Sequence, residues 1–223
     1  VTEDLKELLL HDFESVPVDI LTFITDPRYF GNTWTTQNGK VTAWDSWIKA
    51  ALDVFPLPMR SPYSSIILLG ATGIGKTSFA VNMLMGYYLY LVLLLKNPHE
   101  YFDLSEQKNI FFAFINIVTK TIAYKNAWGM FHRALLRSPF FMERGASTTG
   151  RRPEWYCTTK PVELLYGNDA SQIIGLDLLA VFMDEVSFAR VRDIQKAQER
   201  AAEVFNAALE RMISRFTKFG CIF

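Results

Sequence analysis

The chain has 223 residues, of which 50% are hydrophobic and 14% are aromatic. This composition excludes a disordered chain and is sufficient for one α/β domain with a sizeable core. Because 23 Lys and Arg residues balance 23 Asp and Glu residues, the formal net charge is zero. The balance excludes a general attraction to nucleic acid or membranes, so any contact with nucleic acid must come from a local patch.

The cysteine and histidine residues form no familiar metal-binding or disulfide pattern. Cys157 and Cys221 match neither a disulfide framework nor a zinc spacing, and the three histidines are scattered. The charged residues within positions 3–7 are unlike those of a signal peptide. We therefore expect a reduced, intracellular protein.

The first 62 residues are predicted to form helices joined by loops. Residues 2–10 and 17–24 each predict a short helix, and turn-forming residues are frequent between positions 26 and 39. Thr42 is predicted to be the N-cap of the next helix. The apolar residues of that helix follow helical spacing and are Trp44, Trp47, Ile48, Leu52 and Phe55.

Residues 70–77 (GATGIGKT) fit the phosphate-binding pattern G-x-x-x-x-G-K-[ST] at every fixed position. A short buried strand is predicted at residues 65–69, and a long apolar helix is predicted from Ser78 to about Leu95. Backbone amides in the glycine-rich turn and the helix dipole together favour an anion at this point. We predict that Lys76 reaches the β- and γ-phosphates and that the Thr77 hydroxyl ligates Mg²⁺. The full predicted nucleotide-binding set is Gly70, Ala71, Thr72, Gly73, Ile74, Gly75, Lys76, Thr77 and Ser78.

The apolar helix after this loop is the one candidate for a membrane span in the sequence. It is short for a bilayer, which requires roughly 20 residues, and its start belongs to the phosphate loop. A buried core helix, and no membrane partner, is therefore the favoured interpretation. The elements predicted beyond it are strands at 109–118, 162–166 and 219–223, helices at 120–137 and 190–216, and a polar, basic, mobile segment at 145–153.

Residues 178–183 (LLAVFM) predict a strand that is buried on both faces, and Asp184 and Glu185 follow it. The carboxyl ends of strands in an open α/β sheet carry the ligand chemistry. We predict that Asp184 holds magnesium and that Glu185 is the catalytic base that deprotonates the attacking water. These motifs predict an α/β fold of the ASCE-type P-loop NTPase class, with a mainly parallel central sheet flanked by helices.

Beyond the two nucleotide motifs, the chain resembles the N-terminal ATPase domain of the large terminase subunit, the DNA-packaging motor of tailed bacteriophages. The segments that carry the resemblance are FITDPRYFG at 23–31, YYLY at 87–90 with Asn97, Pro98 and Phe102, SPFF at 138–141, IGLD at 174–177 and DEVSF at 184–188.

The resemblance implies a Mg²⁺-dependent ATPase in which ATP hydrolysis drives double-stranded viral DNA into a procapsid. It implies Lys76 and Glu185 as catalytic residues, Thr77 and Asp184 as metal ligands, and ATP and Mg²⁺ as cofactors. The implied partners are double-stranded DNA, the portal protein, the small terminase subunit and further copies of the chain in a ring on the portal. The implied location is the host cell cytoplasm.

The resemblance also implies a domain organisation. Residues 1–62 would pack as a helical and loop segment on an ATPase core of residues 63–223, and a nuclease domain would follow the core. The chain itself shows no further cluster of carboxylates suited to two-metal cleavage, so we expect no nuclease activity from it.

Several functional residues of the resembled family have no direct match here. Positions 71–74 hold no arginine and Ile174 precedes Gly175, so the arginine finger of the family stays unassigned; the candidates are Arg151 and Arg152, in the segment at 145–153, and then Arg190. Adenine recognition is open between Gln37 and stacking by Trp44 or Trp47, although burial of both tryptophans is favoured. The candidate DNA contacts are Arg133, Arg137, Arg144, Arg151, Arg152 and the arginines of the helix at 190–216.

Two other functional hypotheses remain open from the sequence. A helicase or recombinase-type ATPase would share both nucleotide motifs. A non-hydrolysing assembly module would bind ATP only to order a subunit interface, and measured turnover separates it from an ATPase.

Overall fold

The computed structural model describes residues 3–59, 61–71, 73–117, 120–148, 154–184, 194–216 and 220–223. The helices of the N-terminal segment are α1 (Glu3–Asp12), α2 (Ile20–Thr25), α3 (Gly31–Trp34) and α4 (Asp45–Val54). Of the four, α1, α2 and α4 correspond to predicted helices. The N-cap of α4 is Trp44 rather than Thr42, because the Thr42 hydroxyl donates instead to the Trp34 carbonyl at 2.9 Å.

The helix after the phosphate loop runs continuously over Lys76–Leu94. It comprises α5 (Lys76–Ser78), a π-helical segment (Phe79–Met85) and α6 (Gly86–Leu94). By length and composition it is the one helix among the described residues that satisfies the requirements of a membrane span, yet 89% of its most apolar window is buried inside the fold. Such burial is what the core-helix prediction requires.

The rest of the chain alternates between helices and strands. Its helices are α7 (Pro98–Phe102), α8 (Lys120–Ala123), a π-helical segment (Tyr124–Trp128), α9 (Gly129–Arg137), α10 (Pro139–Arg144), a 3₁₀ turn (Ala170–Gln172) and α11 (Ile194–Phe216). Its strands are β1 (Ile110–Asn116), β2 (Gly145–Ser147), β3 (Trp155–Cys157), β4 (Val162–Gly167), β5 (Asp177–Asp184) and β6 (Cys221–Ile222).

The described strands form one six-stranded sheet in the order β2-β3-β4-β1-β5-β6. Strands β4, β1, β5 and β6 are parallel, whereas β2 and β3 add an antiparallel edge. A parallel bridge between Ser65 and Ile222 then joins the chain leading into the phosphate loop to β6. Strand β6 therefore lies between that segment and β5. The predicted α/β fold class is confirmed.

Helices cover both faces of the sheet. On one face, Leu178, Val181 and Met183 of β5 pack with Val204 and Ala208 of α11 in a single apolar cluster. On the other face, alternate residues of β1 and β5 join the phosphate-loop helix, α9 and the N-terminal helices in a second cluster. Both clusters use β5, which explains why its sequence is an unbroken apolar run.

Two predicted elements differ from the structure. Residues 65–69 do not form a buried strand: Ser65 makes a single bridge, and Ile67 and Leu69 are 77% and 87% exposed. Successive side chains of an extended segment point to opposite faces, so Ile66 and Leu68 pack against the core while Ile67 and Leu69 face solvent. The segment predicted as mobile at 145–153 begins with the edge strand β2, because β3 offers it an antiparallel partner, and its positions 149–153 lie outside the described residues.

The N-terminal segment shares buried contacts with the phosphate-loop helix. Phe23, Phe30 and Phe55 belong to the same apolar cluster as the phosphate-loop helix. The Tyr87 hydroxyl donates to the Val18 carbonyl at 2.7 Å, and the Tyr90 hydroxyl accepts from the Val18 amide at 2.8 Å. These contacts hold the chain before α2 against the phosphate-loop helix, while the domain boundary near residue 62 stays a prediction.

Candidate functional site: the phosphate loop and the end of β5

The phosphate loop turns sharply before its helix begins. Gly73 and Gly75 have φ angles of 87° and 82°, a left-handed conformation that glycine adopts without steric cost. Gly75 is the N-cap residue of the helix that starts at Lys76. The first backbone amides of that helix therefore face the turn, which is the arrangement that binds anions at helix N-termini.

The Lys76 side chain lies within the loop. Its ammonium group donates to the carbonyls of Gly70 and Ala71, both at 2.7 Å. An ammonium group has three donors, so these two contacts leave a third N–H for a phosphate oxygen. Lys76 thus connects the two ends of the loop and places a positive charge beside its amides.

Helix α4 of the N-terminal segment contacts the loop through Trp47. The indole Nε1–H donates to the Ile74 carbonyl at 2.9 Å, and the ring stacks on Phe79 with centroids 4.5 Å apart. Trp47 is partly buried, whereas Trp44 is 57% exposed one helical turn earlier. The prediction that Trp44 is a core residue is therefore wrong. Trp47 contacts both the core and the phosphate loop.

Asp184 lies at the carboxyl end of β5, as predicted. Asn116, the last residue of β1, is its neighbour in the sheet, and the Ile117 amide donates to the Asp184 carbonyl at 3.3 Å. The phosphate loop follows the segment that pairs with β6, which is the next strand on the other side of β5. The loop and Asp184 consequently share the carboxyl edge of the sheet, two strand positions apart.

The other predicted site residues fall into three groups. Thr77 and Ser78 lie in the first turn of the phosphate-loop helix, and the Ser78 hydroxyl donates to the Met130 sulfur at 3.2 Å. Thr72, Glu185, Arg151, Arg152 and Arg190 lie outside the described residues, so their assigned roles stay predictions. Gln37 is exposed in the turn that connects Thr35 to Val41.

The candidate DNA-contacting arginines differ in how much they are already engaged. Arg133 and Arg137 are exposed on α9. Arg144 lies 4.0 Å from the centroid of the Phe140 ring and 3.6 Å from the Glu143 carboxylate. Such contacts within the chain make Arg144 the weaker candidate of the three.

A second polar region lies at the opposite edge of the sheet and is separate from the nucleotide motifs. It is a cavity of about 590 Å³ beside the buried Asp177, which begins β5. The Asp177 carboxylate pairs with Lys108 at 3.7 Å and with Arg215 at 3.2 Å. Arg215, a predicted DNA contact on α11, is thus paired with the first residue of β5.

Sequence reasoning missed one residue and one contact at the site. Asn116 is a buried polar residue that interrupts the apolar run of β1, and this interruption next to the end of a central strand was a usable signal. The contact between Trp47 and Ile74 had no signal in the sequence, because 27 positions separate the two residues.

Comparison with known proteins agrees with this geometry. No curated protein and no solved structure matches the chain. A family model does match, over residues 3–223, and its description is "Uncharacterized protein MJ0330, N-terminal P-loop domain". The match supports a nucleotide-binding P-loop NTPase domain and does not extend to a terminase. Because it spans almost the whole sequence, the chain belongs to this family of P-loop domains.

Proposed function

We propose that this domain is a Mg²⁺-dependent ATPase in which the phosphate loop and Asp184 act on the same nucleotide. The observation that carries the proposal is the placement of both groups at one edge of the sheet, with β6 between β5 and the segment that precedes the loop. At a strand spacing of about 4.8 Å, two strand steps correspond to roughly 10 Å, which accommodates phosphate and a partly hydrated Mg²⁺.

The residues at this edge fit magnesium. Mg²⁺ prefers oxygen ligands and usually keeps several waters, so a few protein oxygens are sufficient. The Thr77 hydroxyl and the Asp184 carboxylate are such ligands, and we assign the ion to them. When bound, the ion neutralises charge on the phosphates. The loop amides and Lys76 hold the same phosphates from the helix side.

Glu185 is the proposed general base. It directly follows Asp184 in the sequence, and a carboxylate next to the γ-phosphate orients and deprotonates a water molecule. Water as the acceptor makes the reaction hydrolysis rather than transfer of phosphate to another substrate.

The finer proposal is that hydrolysis moves double-stranded DNA, as in the packaging motors that the sequence resembles. Its support is the set of sequence segments between residues 23 and 188 that resemble those motors. A ring of subunits would let a domain of zero net charge grip DNA, because each copy contributes only a few basic residues. The proposed partners are accordingly DNA, a portal protein, a small terminase subunit and further copies of this chain, in a host cell cytoplasm.

The first experiment tests the nucleotide site. Lys76→Ala should lose most of the ATP affinity or turnover, measured by calorimetry and by phosphate release, because it removes the loop's ammonium group. Lys40→Ala is the matched control, since Lys40 is exposed in a turn of the N-terminal segment. Hydrolysis at the wild-type rate by Lys76→Ala would show that the site is misassigned.

The second experiment separates binding from chemistry. Glu185→Gln should bind ATP normally and lose roughly 10²- to 10⁴-fold in kcat, the usual contribution of a positioned base. Asp184→Asn should also weaken the dependence on Mg²⁺, and Glu106→Gln, at an exposed site, is the control. ATP binding without turnover by the assembled wild-type protein would identify a non-hydrolysing module instead.

The third experiment tests the motor. Double-stranded DNA should stimulate ATP hydrolysis, and a mixture of Arg151→Ala and Glu185→Gln subunits should recover activity if the arginine acts between subunits. Arginine fingers contribute on the order of 10³- to 10⁵-fold, so the recovery is measurable. Stimulation by single-stranded DNA alone would favour the helicase or recombinase hypothesis.

A further inference from the structure

We propose that Trp47 is a positioning residue for the phosphates of the nucleotide, through its hydrogen bond to the phosphate loop. This inference rests on the proposed function and adds a residue that neither nucleotide motif contains. In outline, the Trp47 indole fixes the peptide group that joins Ile74 to Gly75, and that peptide directs the Gly75 amide towards the phosphates.

The geometry around Trp47 fixes the direction of its single donor. An indole has one N–H, and here it points at the Ile74 carbonyl at 2.9 Å. The ring lies almost parallel to Phe79, at 21° and 4.5 Å between centroids, and Phe79 is buried. Because the stacked ring is held on a buried neighbour in the phosphate-loop helix, the N–H cannot turn away without breaking that packing.

The hydrogen bond to Ile74 determines where the Gly75 amide points. In a trans peptide the C=O and the next N–H are fixed in one plane and point in opposite directions. When the Ile74 oxygen is held towards Trp47, the Gly75 N–H must point away from Trp47. We assign this amide to the β- or γ-phosphate.

The peptide needs this constraint because glycine follows it. Gly75 has φ of 82°, and a glycine tolerates either sign of φ, so the peptide before it rotates with little steric resistance. A rotated peptide would present the Ile74 oxygen to the phosphates in place of the Gly75 N–H, and an oxygen repels an anion. Trp47 stabilises the orientation that binds.

A different role for Trp47 would be stacking on the adenine base. The ring already stacks on Phe79 and its N–H is bonded to Ile74. The two roles differ in ligand dependence, because tripolyphosphate has the phosphates of ATP and no base. Positioning of the loop affects both ligands equally, whereas base stacking affects ATP alone.

The test compares Trp47→Phe with the wild-type chain by calorimetry, with Mg·ATP and Mg·tripolyphosphate as ligands. Phenylalanine keeps an aromatic ring beside Phe79 and removes the donor. Loss of one neutral hydrogen bond should weaken the affinity for each ligand by roughly 2- to 12-fold. In ATP hydrolysis KM should rise by the same factor and kcat should stay within about 2-fold, because the contact is made in both ground and transition states.

Trp155→Phe is the matched control. Trp155 is a fully buried tryptophan, whereas Trp47 is partly buried, and it belongs to β3, on the far side of the sheet from β6 and the phosphate loop. This variant should lower the melting temperature and leave both affinities unchanged. It therefore separates a general loss of stability from a specific effect on the loop.

The outcomes distinguish this inference from the function on which it rests. Equal affinities of Trp47→Phe and the wild-type chain, or a loss confined to ATP, would overturn the positioning role while the ATPase proposal stands. If the wild-type chain binds neither ligand, the proposed function is wrong, and the positioning role is overturned with it. Should Trp47→Phe not fold, Phe79→Leu removes the stacking partner and keeps the indole, and unchanged affinities for both ligands in that variant would overturn the inference.

Discussion

Gly86→Ala tests how the N-terminal segment packs on the phosphate-loop helix. Gly86 is the first residue of α6 and has ordinary helical angles, φ −62° and ψ −44°, so alanine fits its backbone. A Cβ at this position would lie 2.6 Å from Cε2 of Phe30 and 3.4 Å from Cε2 of Phe131. Both rings are fully buried, so the space for a methyl group has to come from movement of Phe30.

Two opposing terms give the magnitude. Carbon atoms in contact normally lie about 3.5–4.0 Å apart, so Phe30 must move by roughly 1 Å, and overpacking of this kind costs about 1–3 kcal/mol. Alanine is favoured over glycine inside a helix by about 1 kcal/mol. The net expectation is a loss of about 1 kcal/mol, which corresponds to a fall in Tm of roughly 2–4 °C for a chain of this size.

The assay is thermal and urea unfolding of Gly86→Ala, Phe30→Leu and the double variant. Leucine is smaller than phenylalanine and makes room for the new methyl group. The sum of the losses in free energy of unfolding of the two single variants should therefore exceed the loss in the double variant. The difference, which is the coupling energy, should be at least about 0.5 kcal/mol. A higher Tm for Gly86→Ala, or additive losses, would refute the close packing of Phe30 against the helix.

Two further predictions concern titratable groups away from the site. Burial, followed by the nearby Arg133 charge, lowers the pKa of His132, so the folded state favours the neutral ring. The stabilising contribution of the neutral ring is complete above the ordinary pKa of about 6.5 and is lost as the pH falls towards the lowered pKa. His132→Gln should therefore make the free energy of unfolding depend less on pH over that interval. An unchanged pH dependence would contradict the lowered pKa. Burial raises the pKa of the Cys221 thiol to about 12, and Cys157 is also buried. Both thiols should therefore react with a disulfide reagent only at the rate of unfolding, and rapid labelling of the native protein would contradict their burial.

The central elements were predictable because their sequence signals are local. The apolar run of β5 and the helical spacing of Ala201, Val204, Ala208 and Met212 in α11 each predict one element and its buried face. The phosphate loop is equally local, since its glycines, Lys76 and helix start follow one another directly. For these elements the sequence left only their relative placement in the fold to be determined.

The parts that sequence reasoning missed depend on distant partners. The Thr42 hydroxyl bonds to Trp34, which competes with the capping role that its residue type favours. Strand β2 forms because β3 pairs with it, and nothing in residues 145–147 alone predicts that partner. Trp47 has the helical spacing of a core residue, and only the fold brings Ile74 to its N–H.

The position of the phosphate loop depends more on its helix than on the segment that precedes it. That segment is joined to β6 by two hydrogen bonds, from the Ile66 amide to the Ile222 carbonyl and from the Ile222 amide to the Ser64 carbonyl, at 2.8 and 3.1 Å. The helix, by contrast, is buried throughout Phe79–Met85 and packs in the same cluster as β5. The spacing between Lys76 and Asp184 is therefore set mainly by packing of the helix. It follows that a core change such as Gly86→Ala should alter nucleotide affinity more than replacement of the exposed Ile67 or Leu69, although both of these lie closer to the loop in sequence.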